Sequence, residues 1–375
     1  MKKICHILIV YGNKNQNYTT ELLKGLNNSD SNYHFVYSHA QLRASEGINV
    51  FQSKDLSRFK SFLLLISLYI KDQEFRVLYN QVGYKKIYKW LILINLEVDV
   101  IHIHHLHAVP KEVIVYLKKK KIRLIASLRG RDLIVNTKDK LKADDVLKKL
   151  KLMSVIHSIS HYMAFELKSK FEMSSEIIYR GIQMPEELNL KKSNLVTDSI
   201  KILAVGRLDW EKGHIYLIES ISRLVKKGHK ITLDIYGDGP LMEFLNFRID
   251  QLGLNDHIIL KNYVDNSKLK LLYKNYNLAL QPSLTEALSN GLIDFMIHDL
   301  PCVISDEGGM KEIIIHGRNG FVFNIQNPTE MDDYIFEALK IDFNKLKEFN
   351  DVHKKKFYIK NEIKALEDLY TRNDR

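Results

Sequence analysis

Two doubly wound parallel α/β sheets, one in each half of the chain, are the fold class this sequence predicts. Short apolar runs rich in valine and isoleucine alternate with amphipathic stretches through the first half. That succession builds a parallel sheet with helices on both faces. The alternation stops at a polar segment, Glu186 to Ser199, containing Asn189, Lys191, Lys192, Ser193 and Asn194, and then starts again. A length of 375 residues is long for one domain and suits two.

In order, KICHILIV reads as a first strand, followed by a helix from about Thr19 to Leu26 and the strand YHFVYS. A longer helical stretch covers residues 55 to 96. The strand DVIHI, a helix near Lys111, and the strands IRLIASL, SVIHSIS and EIIYRG complete a first domain over 1–188. Beyond the polar segment come IKILAVG, a helix from about Gly213, KITLDIYG, a helix after Pro240, HIILKNYV and a helix near Ser267. The second domain is expected over 195–355. A final helix lies at about Lys360 to Tyr370.

Hydrophobic residues make up 45% of the chain and charged residues 27%, the composition of an ordinary globular protein. The two cysteines, Cys5 and Cys302, each lie in an apolar run and are expected to be buried and reduced, which fits the cytoplasm. MKKICHILIVYG imitates a signal peptide, but its apolar run is short and lacks a small-residue cleavage site. FLLLISLYI and WLILINL fall well short of the roughly 20 residues that a spanning helix needs. Charge is uneven: residues 1–190 hold 30 Lys and Arg against 18 Asp and Glu, net +12, and residues 191–375 hold 26 against 27, net −1. A basic first half suits nucleic acid, an anionic membrane surface or a phosphorylated substrate. Interleaved aromatics and a zinc pattern are both missing, which argues against nucleic acid.

The chemistry concentrates in LALQPSLTEALSNGLIDFM and the segment after it. LALQP reads as a buried strand, and the period of Leu288, Leu292, Phe295 and Met296 reads as a helix. Glu286 and Asp294 then sit at the carboxyl end of a strand, where open α/β sheets bind ligands. Eight residues on a helix separate them by roughly 12 Å, a spacing for the two ends of one polyhydroxyl ligand. After LPCVIS, Gly308 and Gly309 precede a helix expected near Met310, whose free N–H groups would accept an anion. Hydroxyl-binding acids beside an anion-binding turn suggest a nucleotide sugar.

PSLTEALSNGLIDFM followed by GGMKEIIIHGRNGFV resembles the carboxyl-half signature of the retaining glycosyltransferases of family 4, the glycosyl transferases group 1 type. Its mark is two glutamates separated by seven residues; Glu286 is the first, and Asp294 replaces the second. The resemblance implies the GT-B fold, two doubly wound Rossmann-like domains facing a cleft, with the last helix returning to the first domain. In AVGRLDWEKGH, Gly206 ends a strand, and Arg207 and Lys212 match the cations that stabilise the leaving nucleotide diphosphate. Gly237 and Gly239 of YGDGP match the turn near the nucleotide, and Glu312 matches a family glutamate.

In the first domain, His102, His104, His105 and His107 crowd six residues. Alternation along a strand points the first two one way and the last two the other, so no metal cluster is expected. By resemblance His104 lines the cleft. Arg129 stands in place of a family histidine, with Asp132 expected to fix an arginine, and Arg180 stands before Gly181 where an asparagine is usual. Gly12 is the one glycine after the first strand, and Asn13, Asn15 and Asn17 offer groups for sugar hydroxyls.

The function expected is transfer of a sugar from a nucleotide diphosphate sugar to an acceptor hydroxyl with the anomeric configuration kept. Glu286 would hold the donor sugar and Asp294 the ribose. The chain lacks an Asp-x-Asp motif, so cations take the place of a divalent ion and no cofactor is expected. The acceptor is expected to be a saccharide carried on a polyprenyl diphosphate, met at the inner face of the membrane in surface polysaccharide assembly. A non-catalytic nucleotide-sugar-binding subunit and a nucleotide-sugar epimerase are the rival readings.

Overall fold

The structure, a computed structural model, describes residues 1–12, 17–29, 31–41, 47–184 and 199–372. Asn13, Asn15, the side chain of Asn17, and the expected linker up to Ser199 lie outside the described residues. The chain divides into two compact units, Met1–Gln183 with Tyr358–Arg375, and Met184–Phe357.

In the first unit the strands are β1 (Lys3–Tyr11), β2 (Tyr33–Gln41), β3 (Asn49–Phe51), β4 (Val100–Ile103), β5 (Arg123–Leu128), β6 (Val155–Ser158) and β7 (Glu176–Ile177). They form one parallel sheet in the order β3-β2-β1-β4-β5-β6-β7. The chain winds outward from β1 to β3 and restarts at β4 on the other side of β1. That reversal leaves a crevice at the carboxyl ends of β1 and β4. Leu22, Leu23 and Leu26 of the helix Asn17–Asn27 pack in one core with Ile4, Leu8 and Val36 of the sheet. Leu366, Leu369 and Tyr370 of the last helix, Ile359–Thr371, join the same core, so the end of the chain completes the unit that its beginning starts.

The long helical stretch expected over 55–96 is several helices. Asp72 ends Arg58–Lys71 and caps Gln73–Val82 by accepting the N–H groups of Glu74 and Phe75. Gly83, at φ +72°, then terminates that second helix. The short β3 and the helices Lys140–Leu150 and His161–Phe171 carried too little pattern to be read from sequence.

In the second unit β8 (Ile200–Val205), β9 (Ile231–Tyr236), β10 (Ile258–Lys261), β11 (Leu278–Gln281), β12 (Cys302–Ser305) and β13 (Gly320–Phe323) form a parallel sheet in the order β10-β9-β8-β11-β12-β13. Its reversal falls between β8 and β11. Leu217, Ile218 and Ile221 of the helix His214–Lys226 fill its core with Ile202, Leu233 and Leu278. Both cysteines are buried and unbridged, and burial pushes the Cys5 thiol up to about 12. No helix among the described residues is long and apolar enough to cross a membrane.

Candidate functional site

The second unit gathers its chemistry at the reversal between β8 and β11. After β8 come Gly206 and Arg207, and a single 3₁₀ turn, Trp210–Lys212, aims Lys212 toward the next strand's loop. There its ammonium forms an ion pair with Glu286, both side chains being mostly buried. The two loops are also tied through the backbone, Leu284 N–H donating to the Glu211 carbonyl at 2.8 Å. The Glu286 loop is fixed from below: Ser305 Oγ donates to the Ser283 carbonyl at 2.6 Å and Ser289 Oγ to Gln281 Oε1 at 2.9 Å. A pair held on such a frame is preorganised, which is what electrostatic catalysis requires. Arg207 is open to solvent and pairs with Asp209 at 2.9 Å and Glu211 at 3.0 Å, exposed pairs of small energy that a polyanion can displace.

Two features that sequence reasoning missed support this arrangement. His214 is buried at the start of its helix, and its Nε2–H donates to the Arg207 carbonyl at 3.0 Å, pinning that loop; burial pushes its pKa down to about 4. Thr285, beside Glu286, has a buried hydroxyl without a partner among the described residues. Neither shows in a sequence, since a histidine after glycine and a threonine before glutamate have no periodic signal.

Several expectations need correction. Glu286 is not on the helix: Ser289 caps it by accepting the Leu292 N–H, and it runs Asn290–Ile297. The eight-residue spacing therefore sets no common helical face. Asp294 turns into the protein, where Lys270 reaches it at 2.8 Å and Asn266 Nδ2 donates to it at 3.2 Å. The helix expected near Met310 is a single 3₁₀ turn, Gly308–Glu312. The Gly309 N–H is not free for an anion, because it donates to the Glu286 carbonyl at 2.9 Å. Gly308, at φ +69°, brings its Cα so close to that carbonyl that a Cβ would collide with it.

The other glycines line the same strand ends without free amides. The N–H of Gly206 donates to Tyr236, that of Gly237 to Lys261 and that of Gly239 to Asp238 Oδ1. Gly237 lies against the Gly206 carbonyl with no room for a Cβ, so what it offers a ligand is a bare backbone surface. The Glu312 carbonyl accepts the Nε2–H of His353 at 3.0 Å.

In the first unit Gly12, at φ +74°, follows β1, and His104 follows β4 beside it. His104 is 1% exposed, so it does not present a ring to ligand. Instead it belongs to a buried chain whose direction is forced by its ends. Arg129 can only donate, so His104 Nδ1 accepts from it at 2.6 Å. His104 Nε2–H then donates to His6 Nδ1 at 3.0 Å, His6 Nε2–H to His34 Nδ1 at 3.0 Å, and His34 Nε2–H to Glu367 Oε1 at 3.1 Å.

A second chain has the same logic. His157 Nε2–H donates to the Ile178 carbonyl at 2.9 Å, so its Nδ1 accepts from Ser127 Oγ at 2.9 Å. Ser127 in turn accepts from His102 Nε2–H at 2.6 Å, and His102 Nδ1 accepts the Tyr370 hydroxyl at 2.7 Å. Burial, reinforced by neighbouring imidazoles and Arg129, holds His6, His102 and His104 well below the ordinary histidine pKa, and burial takes His157 down to about 4. His6, His102 and His104 have ring nitrogens within 4.8 Å of one another. Both nitrogens of each are engaged in the chains, so a metal there would have to break them.

These chains place Arg129 at the end of β5, where it also donates to Thr19 Oγ1 at 3.1 Å. Arg180 stacks on the Tyr18 ring at 4.2 Å with Arg129 at 5.4 Å, so two guanidinium groups converge there. Glu362 of the last helix accepts the Gly181 N–H at 2.7 Å; burial raises its pKa to about 6 against the pull of Arg129 and Arg180. Asp132 is held by His107, Nδ1 to Oδ1 at 2.8 Å, rather than by an arginine as expected. Elsewhere in this unit His39, Lys85, Lys86, Lys89 and Trp90 line a hollow of about 360 Å³.

Residues 185–356 match the family model described as glycosyl transferases group 1. An uncharacterized glycosyltransferase of Methanocaldococcus jannaschii is 32% identical over 166 residues, 42% of this chain and 42% of that protein. The amylovoran biosynthesis glycosyltransferase AmsK of Erwinia amylovora is 30% identical over 148 residues, 38% of this chain and 36% of that protein. The chain thus spans about two fifths of the length of these curated relatives. Anabaena HepE, solved with UDP and glucose, is similar over 98% of this chain and 99% of its own, with a TM-score of 0.72 and 15% identity. At that identity the likeness is one of fold, the two-sheet GT-B architecture.

Proposed function

We propose, from the premise that residues 185–356 form a glycosyl transferases group 1 domain, that this protein is a retaining glycosyltransferase acting on a nucleotide diphosphate sugar. The observation that carries the reading is the Lys212–Glu286 pair, framed by two loops at the reversal of the second sheet. An incoming diphosphate competes with Glu286 for the ammonium of Lys212 and with Asp209 and Glu211 for Arg207, while Glu286 takes donor sugar hydroxyls. The bond from the anomeric carbon to the diphosphate breaks as the acceptor oxygen bonds on the same face. The acceptor proton passes to the departing phosphate oxygen, and the fixed cations stabilise the charge that develops there.

Gly206, Gly237, Gly239, Gly308 and Gly309 supply the close backbone surface for the nucleotide. Thr285 adds a hydroxyl, and Asp294, engaged by Lys270, holds its helix rather than the ribose. In this reading the cations take the part a divalent ion would play. On the acceptor side Arg129, with Arg180 beside it, suits a phosphate or saccharide acid. The three lysines of the first unit's hollow suit the diphosphate of a polyprenyl-linked saccharide in surface polysaccharide assembly, at the cytoplasmic face of a membrane.

The test is release of nucleoside diphosphate from a panel of nucleotide sugars with a membrane lipid extract as acceptor, in wild type, Lys212→Ala and Glu286→Ala. Extract-dependent release from one donor, lost in both variants, is the expected result. Donor binding without release in every extract identifies a binding subunit instead, and interconversion of the donor sugar without acceptor identifies an epimerase.

A further inference from the structure

Helix Arg58–Lys71 has two apolar faces, and only one of them is used by the fold. Ser61 and Leu65 are buried against the first unit. Phe59, Phe62, Leu63, Ile66, Tyr69 and Ile70 are exposed, Phe59 at 70% and Ile70 at 69%. At 3.6 residues per turn these six fall within an arc of ~120°, its centre roughly 120° around the helix from the stripe of Ser61 and Leu65. A helix on the surface of a globular unit ordinarily shows water its polar side there, and this one shows its largest apolar groups.

Charge says what covers that face. By the same geometry Arg58 flanks the arc on one side and Lys60 and Lys71 flank it on the other, and the helix contains no carboxylate. None of the three cations pairs with a carboxylate among the described residues. A second copy of this chain, docked through a two-fold axis, would set these cations against their own images. An anionic bilayer accepts both parts, acyl chains for the arc and phosphate headgroups for its rims. Fourteen residues span roughly 21 Å, shorter than the ~30 Å hydrocarbon core, so the helix lies in the interface rather than across it.

We propose that helix Arg58–Lys71 docks the first unit onto an anionic lipid bilayer, with Phe59, Phe62, Ile66 and Ile70 entering the boundary between headgroups and acyl chains. The docking is independent of glycosyl transfer and is read without substrate. The full chain is sedimented with phosphatidylglycerol-containing vesicles and with pure phosphatidylcholine vesicles. Wild type is expected to partition at least tenfold more into the anionic vesicles. Phe59→Ser/Ile66→Ser/Ile70→Ser and Arg58→Glu/Lys60→Glu/Lys71→Glu are each expected to lower that partition at least tenfold, with unchanged melting because the altered side chains are exposed. Because both native cysteines are buried, Ile66→Cys accepts a single environment-sensitive fluorophore, whose emission should shift to the blue on anionic vesicles only. Equal partition into both vesicle types, undiminished partition of the serine variant, or an unshifted label overturns the proposal. A wild-type dimer that the serine variant turns into a monomer overturns it in favour of a self-interface.

Discussion

Lowering the pH from 7 to 5.5 should destabilise the first unit by a few kcal/mol, because burial holds four rings of its two histidine chains neutral. His6, His102 and His104 lie well below, and His157 near 4 against, an ordinary value of 6.5. These are bases with depressed folded pKa values, so below 6.5 the unfolded chain binds protons that the folded chain refuses, and stability falls with pH. Each ring contributes on the order of 1 kcal/mol to the loss over that interval, a few kcal/mol for the four together. Glu362 acts oppositely: its raised pKa of about 6 lets the folded state take up a proton in the same window, which returns a small part of the loss. Glu367, whose burial is outweighed by hydrogen bonds from His34, Ser29 and Asn32, is held below the usual carboxylate value and comes into play only at lower pH. A domain of ordinary stability, ~5–15 kcal/mol, is brought close to unfolding. Urea titrations at pH 7 and 5.5, followed by fluorescence of Trp90 in a Trp210→Phe background, measure the change in the first unit. Imidazole nitrogen shifts at pH 7 should show His6, His34, His102, His104 and His157 all protonated at Nε2. A change in stability under about 1 kcal/mol, or a charged His6, His102, His104 or His157 at pH 6, refutes the reasoning.

Other consequences can be measured separately. Lys212→Ala and Glu286→Ala should each lower donor turnover about 10²–10³-fold, the usual cost of losing one preorganised electrostatic group, as read by nucleoside diphosphate release. Gly237→Ala drives a Cβ into the Gly206 carbonyl and should cost about 2 kcal/mol in urea unfolding while weakening donor affinity. Tyr370→Phe leaves His102 Nδ1 buried without its donor and should cost about 1–3 kcal/mol, with His102 showing mixed tautomers. Asp294→Asn should weaken the pairing with Lys270 and lower stability, leaving donor affinity within about threefold; a tenfold loss in calorimetric donor binding would return this residue to the ribose.

The strands were legible because each is a short apolar run ended by glycine or a polar group, and period two or three does not depend on the rest of the chain. KICHILIV and LALQ fall on β1 and β11. The positions of Lys212 and Glu286 at strand ends followed from the same reading. Their pairing is another matter, since it depends on β8 and β11 being neighbours. Local pattern also fails where two structures share it: the glycines before Met310 suit an α-helix start and a 3₁₀ turn equally, and only the docking of Gly309 N–H on Glu286 decides.

The histidines show most sharply what a sequence withholds. Alternation along β4 places His102 and His104 on one face, and their rings do stack there at 4.1 Å. It says nothing of His6 from β1, His34 from β2, His157 from β6 or the two residues of the last helix that end the chains, Glu367 and Tyr370. Yet those partners reverse the meaning of the cluster. Four clustered histidines suggest a metal or a ligand-facing ring; with a donor-only arginine at one end of its chain and a carboxylate at the other, the ring protons of His104, His6 and His34 are assigned and none of these three rings keeps a free lone pair. The same reasoning leaves His104 with no ring nitrogen for a ligand, so the proposed acceptor contact passes to Arg129. A substitution of Arg129 by methionine should therefore act on the imidazoles as well as on the acceptor. It removes the donor that sets the direction of the chain and a charge that depresses His6 and His104, so both should titrate at higher pH in the variant. If their titration does not move, the chain is held by packing alone and Arg129 is a separate feature of the site.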